Sequence, residues 1–268
     1  MSDAHRWSFS AELRAMAAAF TFMTRVPVGR WIAHDLSDLP RSAAWFPLVG
    51  TTVGAVGAGV FLLGHQWWSP LVAALLSTAA TVRITGAFHE DALADSLDGF
   101  GGGWTTEQVL TIMKDSRVGS YALVGMILAL VLKCVLLADL GVQRAAMALL
   151  TAHTLGRCAS VWLIAALPYV RPEASGERPS AGRPFVDGVH RGRIFTAALT
   201  AIGVAVICLG IAGLIAITVA LLLTVVSGRY FRRRIGGITG DALGAVNQLV
   251  ELGVYLMLAA APVRGWLP

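Results

Sequence analysis

Long apolar runs alternate with short polar segments along the chain, and this pattern predicts membrane-spanning helices. Each run approaches the roughly 20 residues that an α-helix needs to cross a bilayer, and each is bounded by a charge or a turn signal. We predict seven spans, at about 43–63, 70–87, 118–140, 145–168, 194–210, 212–228 and 243–262. The apolar stretch 194–228 is too long for one crossing, so we place a tight hairpin at Gly210 and Gly213.

Composition supports a membrane protein. Hydrophobic residues make up 56% of the 268 and charged residues only 14%, whereas a soluble domain averages roughly 25% charged residues. We therefore expect an all-α, polytopic integral membrane bundle that forms a single catalytic domain over residues 1–268. Residues 1–42 form an N-terminal segment, in which 8–24 are predicted as an amphipathic helix that either anchors to the lipid surface or covers the site.

The arginines predict the orientation of the bundle. They lie before the first span, in the 169–193 loop and directly after the sixth span, while the opposite loops hold few basic residues. The positive-inside rule places the N-terminus and the loops 88–117, 169–193 and 229–242 in the cytoplasm. Because the net charge of +5 is distributed in this way, it indicates membrane topology rather than nucleic-acid binding.

The stretch FHEDALADSLDGFGGG (88–103) gathers acidic residues beside an apolar run. If it continues the second span as a helix, Asp91, Asp95 and Asp98 fall within an arc of about 60°. Three carboxylates on one stripe repel each other unless a cation lies among them, and Mg²⁺ prefers such oxygens. The alternative is a solvated acidic face. The glycines at 99 and 101–103 are expected to end the helix.

A second polar cluster is MKDSRVGSY (113–121), immediately before the third span. Lys114 and Arg117 are candidates to bind phosphate oxygens, and Asp115 is a candidate metal ligand or general base. A positive-inside flank would explain the two basic residues but not Asp115.

Ionisable residues also fall inside the predicted spans. Glu251 and Arg157 must face protein, water or a cation rather than lipid, so they either pair with each other or reach substrate. Arg83 and Lys133 are near enough to span ends to extend toward the interface. His153 is interpreted as a hydrogen-bonded core histidine.

Carboxylates for Mg²⁺, basic residues for phosphates and the lack of a nucleophilic triad indicate transfer of a phosphate-linked group. DSLDG (95–99) is similar to part of the CDP-alcohol phosphotransferase signature, but Phe100 and the following glycines break that match. A lipid synthase of that kind is the second interpretation. A transporter is the third, and the acids at helix ends rather than at the midplane disfavour it.

Several motifs in fixed order carry a more specific resemblance. They are FMTRVPV (22–28), FPLVG (46–50), HEDALADSLDG (89–99), MKDSRVGSY (113–121), LGR (155–157), YVRPEASG (169–176) and GGITGDALGA (236–245). Over about residues 20–251 the chain resembles the cobalamin synthase family, the adenosylcobinamide-GDP ribazoletransferases. Ala92 and Ala122 stand where that family usually has glycine, and neither change removes a charge.

The resemblance implies that adenosylcobinamide-GDP reacts with α-ribazole or its 5′-phosphate, and that GMP leaves. Asp91, Asp95 and Asp98 would hold Mg²⁺, His89 or Asp115 would accept the hydroxyl proton, and Lys114 and Arg117 would neutralise phosphate oxygens. The candidates for substrate binding are Arg157, Arg171, Thr239, Asp241, Asn247 and Glu251. The expected location is the bacterial inner membrane, with the active site facing the cytoplasm. The lipid bilayer is an expected partner, nucleic acid is not, and a homo-oligomer is left open.

Overall fold

The computed structural model describes residues 8–35, 38–170 and 191–260, and in these ranges the chain forms helices joined by short turns. The helices are α1 (Phe9–Met23), α2 (Leu39–Ser42), α3 (Phe46–Gly64), α4 (Pro70–Thr85), α5 (Phe88–Gly102), α6 (Thr106–Ile112), α7 (Ser120–Asp139), α8 (Val142–Ala166), α9 (Arg191–Leu209), α10 (Ile211–Ile235) and α11 (Gly240–Ala259). The predicted all-α membrane bundle is confirmed.

The number of spans in the described residues is six or seven, compared with the seven predicted. Six helices in the described ranges are long and apolar enough to cross a membrane, and there are seven if α4 and α5, which meet at 91°, count as one broken span. At 16 residues, α4 is about 24 Å long and does not cross a hydrocarbon core of about 30 Å alone. The predicted hairpin is confirmed, because α9 ends at Leu209 and Gly210 joins it to α10 with φ 56°.

Helix α8 lies at the centre of the bundle. In the most apolar part of α8, 83% of the residues are buried, compared with 28% in α7 and 22% in α9. The exposed side chains of α7 and α9 are therefore available to contact lipid. Gly50 and Gly54 let α3 approach the α8 backbone closely, since a Cβ on Gly54 would lie 2.6 Å from the Leu149 carbonyl oxygen. This four-residue spacing of glycines is typical of tightly packed membrane helices.

Several segments meet at one end of the bundle, which we call the loop end. It includes the start of α9 at Arg193, the start of α6 at Thr106 and the end of α10 at Arg234. Arg193, at the start of α9, forms two bonds of 2.5 and 2.6 Å with the Glu12 carboxylate of α1. The Thr106 hydroxyl of α6 donates to the Arg234 carbonyl at the end of α10, at 2.9 Å. The described parts of the segments that the arginine pattern assigned to one side therefore do lie together. That this side is cytoplasmic stays a prediction.

Candidate active site

The acidic helix α5 is separate from α4, so the prediction of one continuous helix is wrong. Gly86 and Ala87 both adopt left-handed backbone, with φ 68° and 59°, and α5 restarts at Phe88. The Arg25 N–H donates to the Ile84 carbonyl at 2.7 Å, an acceptor that a continuing helix would use itself. A Cβ on Gly86 would lie only 2.9 Å from Arg25 Cζ, so the approach of Arg25 also requires glycine.

Glycines let α5 pack closely against its neighbours. Gly101 faces the Tyr121 ring of α7, where a Cβ would lie 2.6 Å from Cγ, and Gly99 faces Met113. The helix continues through Gly102 and only Gly103 lies beyond its last turn. The expectation that all four glycines end the helix is therefore wrong for Gly99 and Gly101, which make room for packing instead, and Gly102 is the last residue of the helix.

Arg234 fixes the C-terminal end of α5. Its guanidinium donates to the Gly103 carbonyl at 2.6 Å and lies 5.8 Å from the centre of the Phe100 ring. A cation at this end of a helix satisfies a carbonyl without an intrahelical partner and complements the helix dipole. Arg234, interpreted from sequence only as a topology signal, thus also holds the acidic helix.

The three predicted metal ligands differ in their surroundings. Asp91 is exposed and Asp95 is half-buried, whereas both oxygens of Asp98 accept backbone hydrogen bonds at the start of α7. These bonds come from the N–H groups of Gly119, at 2.6 Å, and Ala122, at 2.9 Å. In the described part of the chain, no three His, Cys, Asp or Glu side chains converge as a metal site. Metal binding by the three aspartates stays a prediction.

The second cluster is exposed at the loop between α6 and α7. Asp115 accepts hydrogen bonds from the Arg117 backbone at 3.0 Å and from its guanidinium at 2.6 Å. These bonds lower the pKa of Asp115 to about 2 and raise the pKa of Arg117. The Arg117 side chain is still 88% exposed and Lys114 is also exposed, so both cations are open to an anionic substrate.

A buried network surrounds Glu251 of α11. Its Oε2 lies 2.9 Å from Lys133 Nζ of α7, and its Oε1 lies 2.7 Å from His153 Nδ1 and 3.4 Å from Arg157 Nη1 of α8. The pairing of Glu251 with Arg157 and the hydrogen-bonded core interpretation of His153 are therefore confirmed. Lys133 is only 2% exposed, so the expectation that it extends to the interface is wrong.

The network reaches the acidic helix through Gln248. Its Oε1 accepts from Lys133 Nζ at 2.9 Å, and its Nε2 donates to Glu90 Oε1 of α5 at 3.0 Å. Helices α5, α7, α8 and α11 are thus joined by polar contacts inside an apolar bundle. Because ionisable groups at membrane depth are costly unless paired, the pairing explains how the bundle tolerates them.

Several buried polar atoms of this region have no hydrogen-bond partner in the part of the chain that the structure describes. They are Glu90 Oε2, His153 Nε2, Arg157 Nε, both side-chain polar atoms of Asn247, and the Tyr255 hydroxyl. Most buried polar groups in proteins are satisfied, by protein or by ordered water. Ordered water is therefore the expected partner of these atoms.

The loop before α11 is held against the segment after α8. Ile238 and Tyr169 form a parallel bridge, and the Thr239 hydroxyl accepts from the Ala242 N–H at 3.1 Å as the N-cap of α11. Asp241 follows in the first turn and is half-buried at the loop end. Arg171 lies outside the described residues.

A small cavity of about 40 Å³ opens at the loop end beside His89. Phe22, Phe46 and Phe88 form its aromatic wall, and Gly240 and Gly244 of α11 line it without side chains. His89 is only 3% exposed and also lies within electrostatic range of Arg157 and Glu251. His89 thus stands between the cavity and the buried network.

Sequence reasoning missed three members of the network, Lys133, Gln248 and Glu90. The available signal was the presence of polar side chains in spans or at their ends, because such side chains are costly in a membrane unless they are paired. The pairing of α7 with α11 that brings them together is a tertiary contact, which the sequence pattern does not contain.

Comparison with known proteins identifies the family. A profile described as "Cobalamin-5-phosphate synthase" matches residues 15–259. The chain belongs to this family. An adenosylcobinamide-GDP ribazoletransferase of Shewanella frigidimarina is 38% identical over 263 residues, covering 97% of this chain and 98% of that protein. One of Shewanella baltica is 41% identical over 266 residues, covering 96% and 97%. No solved structure matches the chain.

Membership of the cobalamin-5-phosphate synthase family confirms the resemblance inferred from the motifs. It also confirms the predicted function class, a transferase of the late steps of cobalamin biosynthesis. The two alternatives, a lipid synthase and a transporter, are not favoured by these matches.

Proposed function

We propose that this chain transfers the cobinamide phosphate of adenosylcobinamide-GDP to α-ribazole or its 5′-phosphate, with release of GMP. The relatives are named for the substrates adenosylcobinamide-GDP and ribazole, and this supports the proposal. One observation carries the proposal. The acidic helix α5 is held at the loop end by contacts at both of its ends, with Asp91 exposed, Asp95 half-buried and His89 beside a cavity.

The donor set of α5 fits a divalent cation shared with a diphosphate. Asp98 is engaged by two backbone N–H groups. Asp91 and Asp95 stand one helical turn apart on the same helix, so both carboxylates can face one ion. Mg²⁺ typically takes one or two carboxylates together with substrate phosphates, so two aspartates suffice. Asp91 and Asp95 would hold Mg²⁺, with Asp98 stabilising the helix next to them. When bound, the ion neutralises charge on the diphosphate oxygens.

His89 is the better candidate for the proton acceptor. Asp115 is tied to Arg117, and its pKa of about 2 makes it a weak base near neutral pH. In the proposed reaction a ribose hydroxyl oxygen bonds to the phosphorus on the cobinamide arm, while the bond from that phosphorus to the oxygen of GMP breaks. The hydroxyl proton passes to His89.

Lys114 and Arg117 are assigned to the negative charge of the substrates. Both are exposed at the loop end, and the two hydrogen bonds to Asp115 pre-orient the Arg117 guanidinium. Arg157 and Glu251 are fully buried and face each other, so we assign them to positioning of α5 from within the bundle. The loop end is assigned to the cytoplasmic face of the inner membrane, where the arginine pattern places it.

A GMP-release assay on the detergent-purified chain tests the proposal. Release is expected only with adenosylcobinamide-GDP, α-ribazole or its 5′-phosphate, and Mg²⁺ together. The chelated enzyme provides the metal control, and omission of the ribazole substrate separates transfer from hydrolysis. No release from protein that elutes as a single folded species, or equal release without the ribazole substrate, would contradict the proposal.

A further inference from the structure

The cavity beside His89 is distinguished by its aromatic wall. The Phe22 ring stacks against Phe46 with centroids 6.3 Å apart and meets Phe88 edge-on at 5.1 Å. The Phe88 ring in turn stands perpendicular to the His89 imidazole at 5.2 Å. Rings at these distances and angles leave an aromatic surface that favours a further flat ring.

The opposite wall is flat for a different reason. Gly240 and Gly244 lie in the first turns of α11. A Cβ on Gly240 would meet only the Tyr169 hydroxyl, at 4.0 Å, whereas Gly244 packs directly against Ala92 of α5. Beyond His89, the polar side chain of the lining is Ser160, whose hydroxyl already donates to the Leu243 carbonyl at 3.1 Å. The cavity therefore offers apolar and aromatic surface with little hydrogen-bonding capacity.

We infer that this cavity is the subsite for the aromatic base of the ribazole substrate, which deepens the proposed function and rests on it. The benzimidazole-type base is flat and apolar and has a single free ring nitrogen. Guanine presents a carbonyl, an amino group and ring N–H groups, which this lining does not match. A corrin ring is far too large. A base seated here directs its ribose toward His89, the proposed acceptor of the hydroxyl proton.

The cavity of about 40 Å³ has room for water but not for a two-ring base, so the base must displace a side chain. Phe88 is 39% exposed and borders the opening, whereas Phe46 is buried. Rotation of the Phe88 ring therefore opens the subsite. The N-terminal helix supplies Phe22 to the same wall, which assigns α1 to covering the site, one of the two roles left open by the sequence.

The test uses Phe22→Leu and Phe88→Leu in the full chain, which keep apolar volume but remove the aromatic faces. Loss of aromatic stacking on a base raises the KM for α-ribazole about tenfold, while the KM for adenosylcobinamide-GDP stays within about twofold. Phe195→Leu is the matched control, since Phe195 is 70% exposed on α9 away from the cavity. A rise in the KM for adenosylcobinamide-GDP instead would overturn the subsite.

A second variant changes Gly240, on the opposite wall of the cavity. Gly240→Val adds side-chain volume where the structure has space, so folding is retained while the base is excluded. Its loss of turnover should be greater with a 5,6-dimethylbenzimidazole nucleoside than with the unsubstituted benzimidazole nucleoside. Equal loss with both nucleosides would count against a base in this cavity.

Calorimetric binding of α-ribazole alone separates this inference from the proposed reaction. If the wild type binds α-ribazole and both Phe→Leu variants bind it about tenfold more weakly, the subsite stands even if GMP release fails. If the wild type does not bind it, or the variants bind it equally well, the subsite is wrong, whatever the outcome of the GMP-release assay.

Discussion

The carboxylates of this protein fall into two regions with opposite surroundings. On α5, the Asp91 side chain is exposed and the Asp95 side chain is half-buried, one helical turn apart at the loop end. On α11, Glu251 is fully buried and lies within 3.4 Å of a lysine, a histidine and an arginine. A carboxylate surrounded by these three side chains is not accessible to substrate, whereas the Asp91 and Asp95 side chains are at least partly exposed at the loop end. We therefore assign metal and substrate binding to α5, and the positioning of α5 to the network around Glu251.

The largest effect is expected at Asp95. Asp95→Asn keeps the size of the side chain but removes charge from the proposed metal pair, so turnover should fall about a thousandfold. The measurement is GMP release at saturating Mg²⁺, with Glu107→Gln on the exposed turn of α6 as the matched control. Near-normal turnover in a folded Asp95→Asn protein would remove α5 from the chemistry.

The next largest effect is expected at Glu251, and on stability. Glu251→Gln leaves Lys133 and Arg157 buried with less opposing charge, which costs about 3–5 kcal/mol and lowers the midpoint of thermal unfolding by about 10 °C. Adding Lys133→Met removes one uncompensated cation and should restore about half of that loss. If Glu251→Gln unfolds at the wild-type temperature but loses turnover, Glu251 acts on substrate instead.

Asp98 lies on the same helix as the proposed metal ligands, but we assign it to stability rather than to metal binding. Its carboxylate accepts two backbone hydrogen bonds at the start of α7, so Asp98→Ala should cost about 2 kcal/mol of stability and lower the unfolding midpoint by about 5 °C. Turnover measured below that midpoint should fall far less than in Asp95→Asn. A loss of turnover equal to that of Asp95→Asn, with unchanged unfolding, would make Asp98 a metal ligand.

The smallest effect concerns Asp115 and pH. Because its bonds to Arg117 lower its pKa from 3.8 to about 2, the stabilisation from this ion pair is complete above the ordinary value and is lost only as the pH falls toward 2. Between pH 5 and 9 the charge of Asp115 therefore does not change, and Asp115→Asn should leave the shape of the pH–rate profile intact. Loss of the acidic limb in that variant would identify Asp115 as the base.

The sequence predicts the bundle well because membrane spans are coded locally, by apolar length and by the charges that bound them. It also predicts the hairpin at Gly210. The break at Gly86 and Ala87 escaped prediction because it depends on Arg25, which reaches α4 from about 60 residues earlier in the chain.

The partners of the buried charges were only partly predictable. Glu251 and Arg157 stand deep in apolar runs, where the cost of burying a charge is itself a signal of pairing. Lys133 lies nearer a span end, where an extended side chain is the ordinary interpretation. Only the packing of α7 against α11 shows that it points inward, and that packing places Gln248 between Lys133 and Glu90.

The most direct test of the central claim measures Mn²⁺ binding by electron paramagnetic resonance, with Mn²⁺ in place of Mg²⁺ and adenosylcobinamide-GDP present. The substrate without protein corrects for metal that binds to the diphosphate alone. We expect the wild-type chain to retain protein-bound Mn²⁺ and the Asp91→Asn, Asp95→Asn double variant to lose it. Undiminished Mn²⁺ binding by the folded double variant would contradict the assignment of the metal to α5.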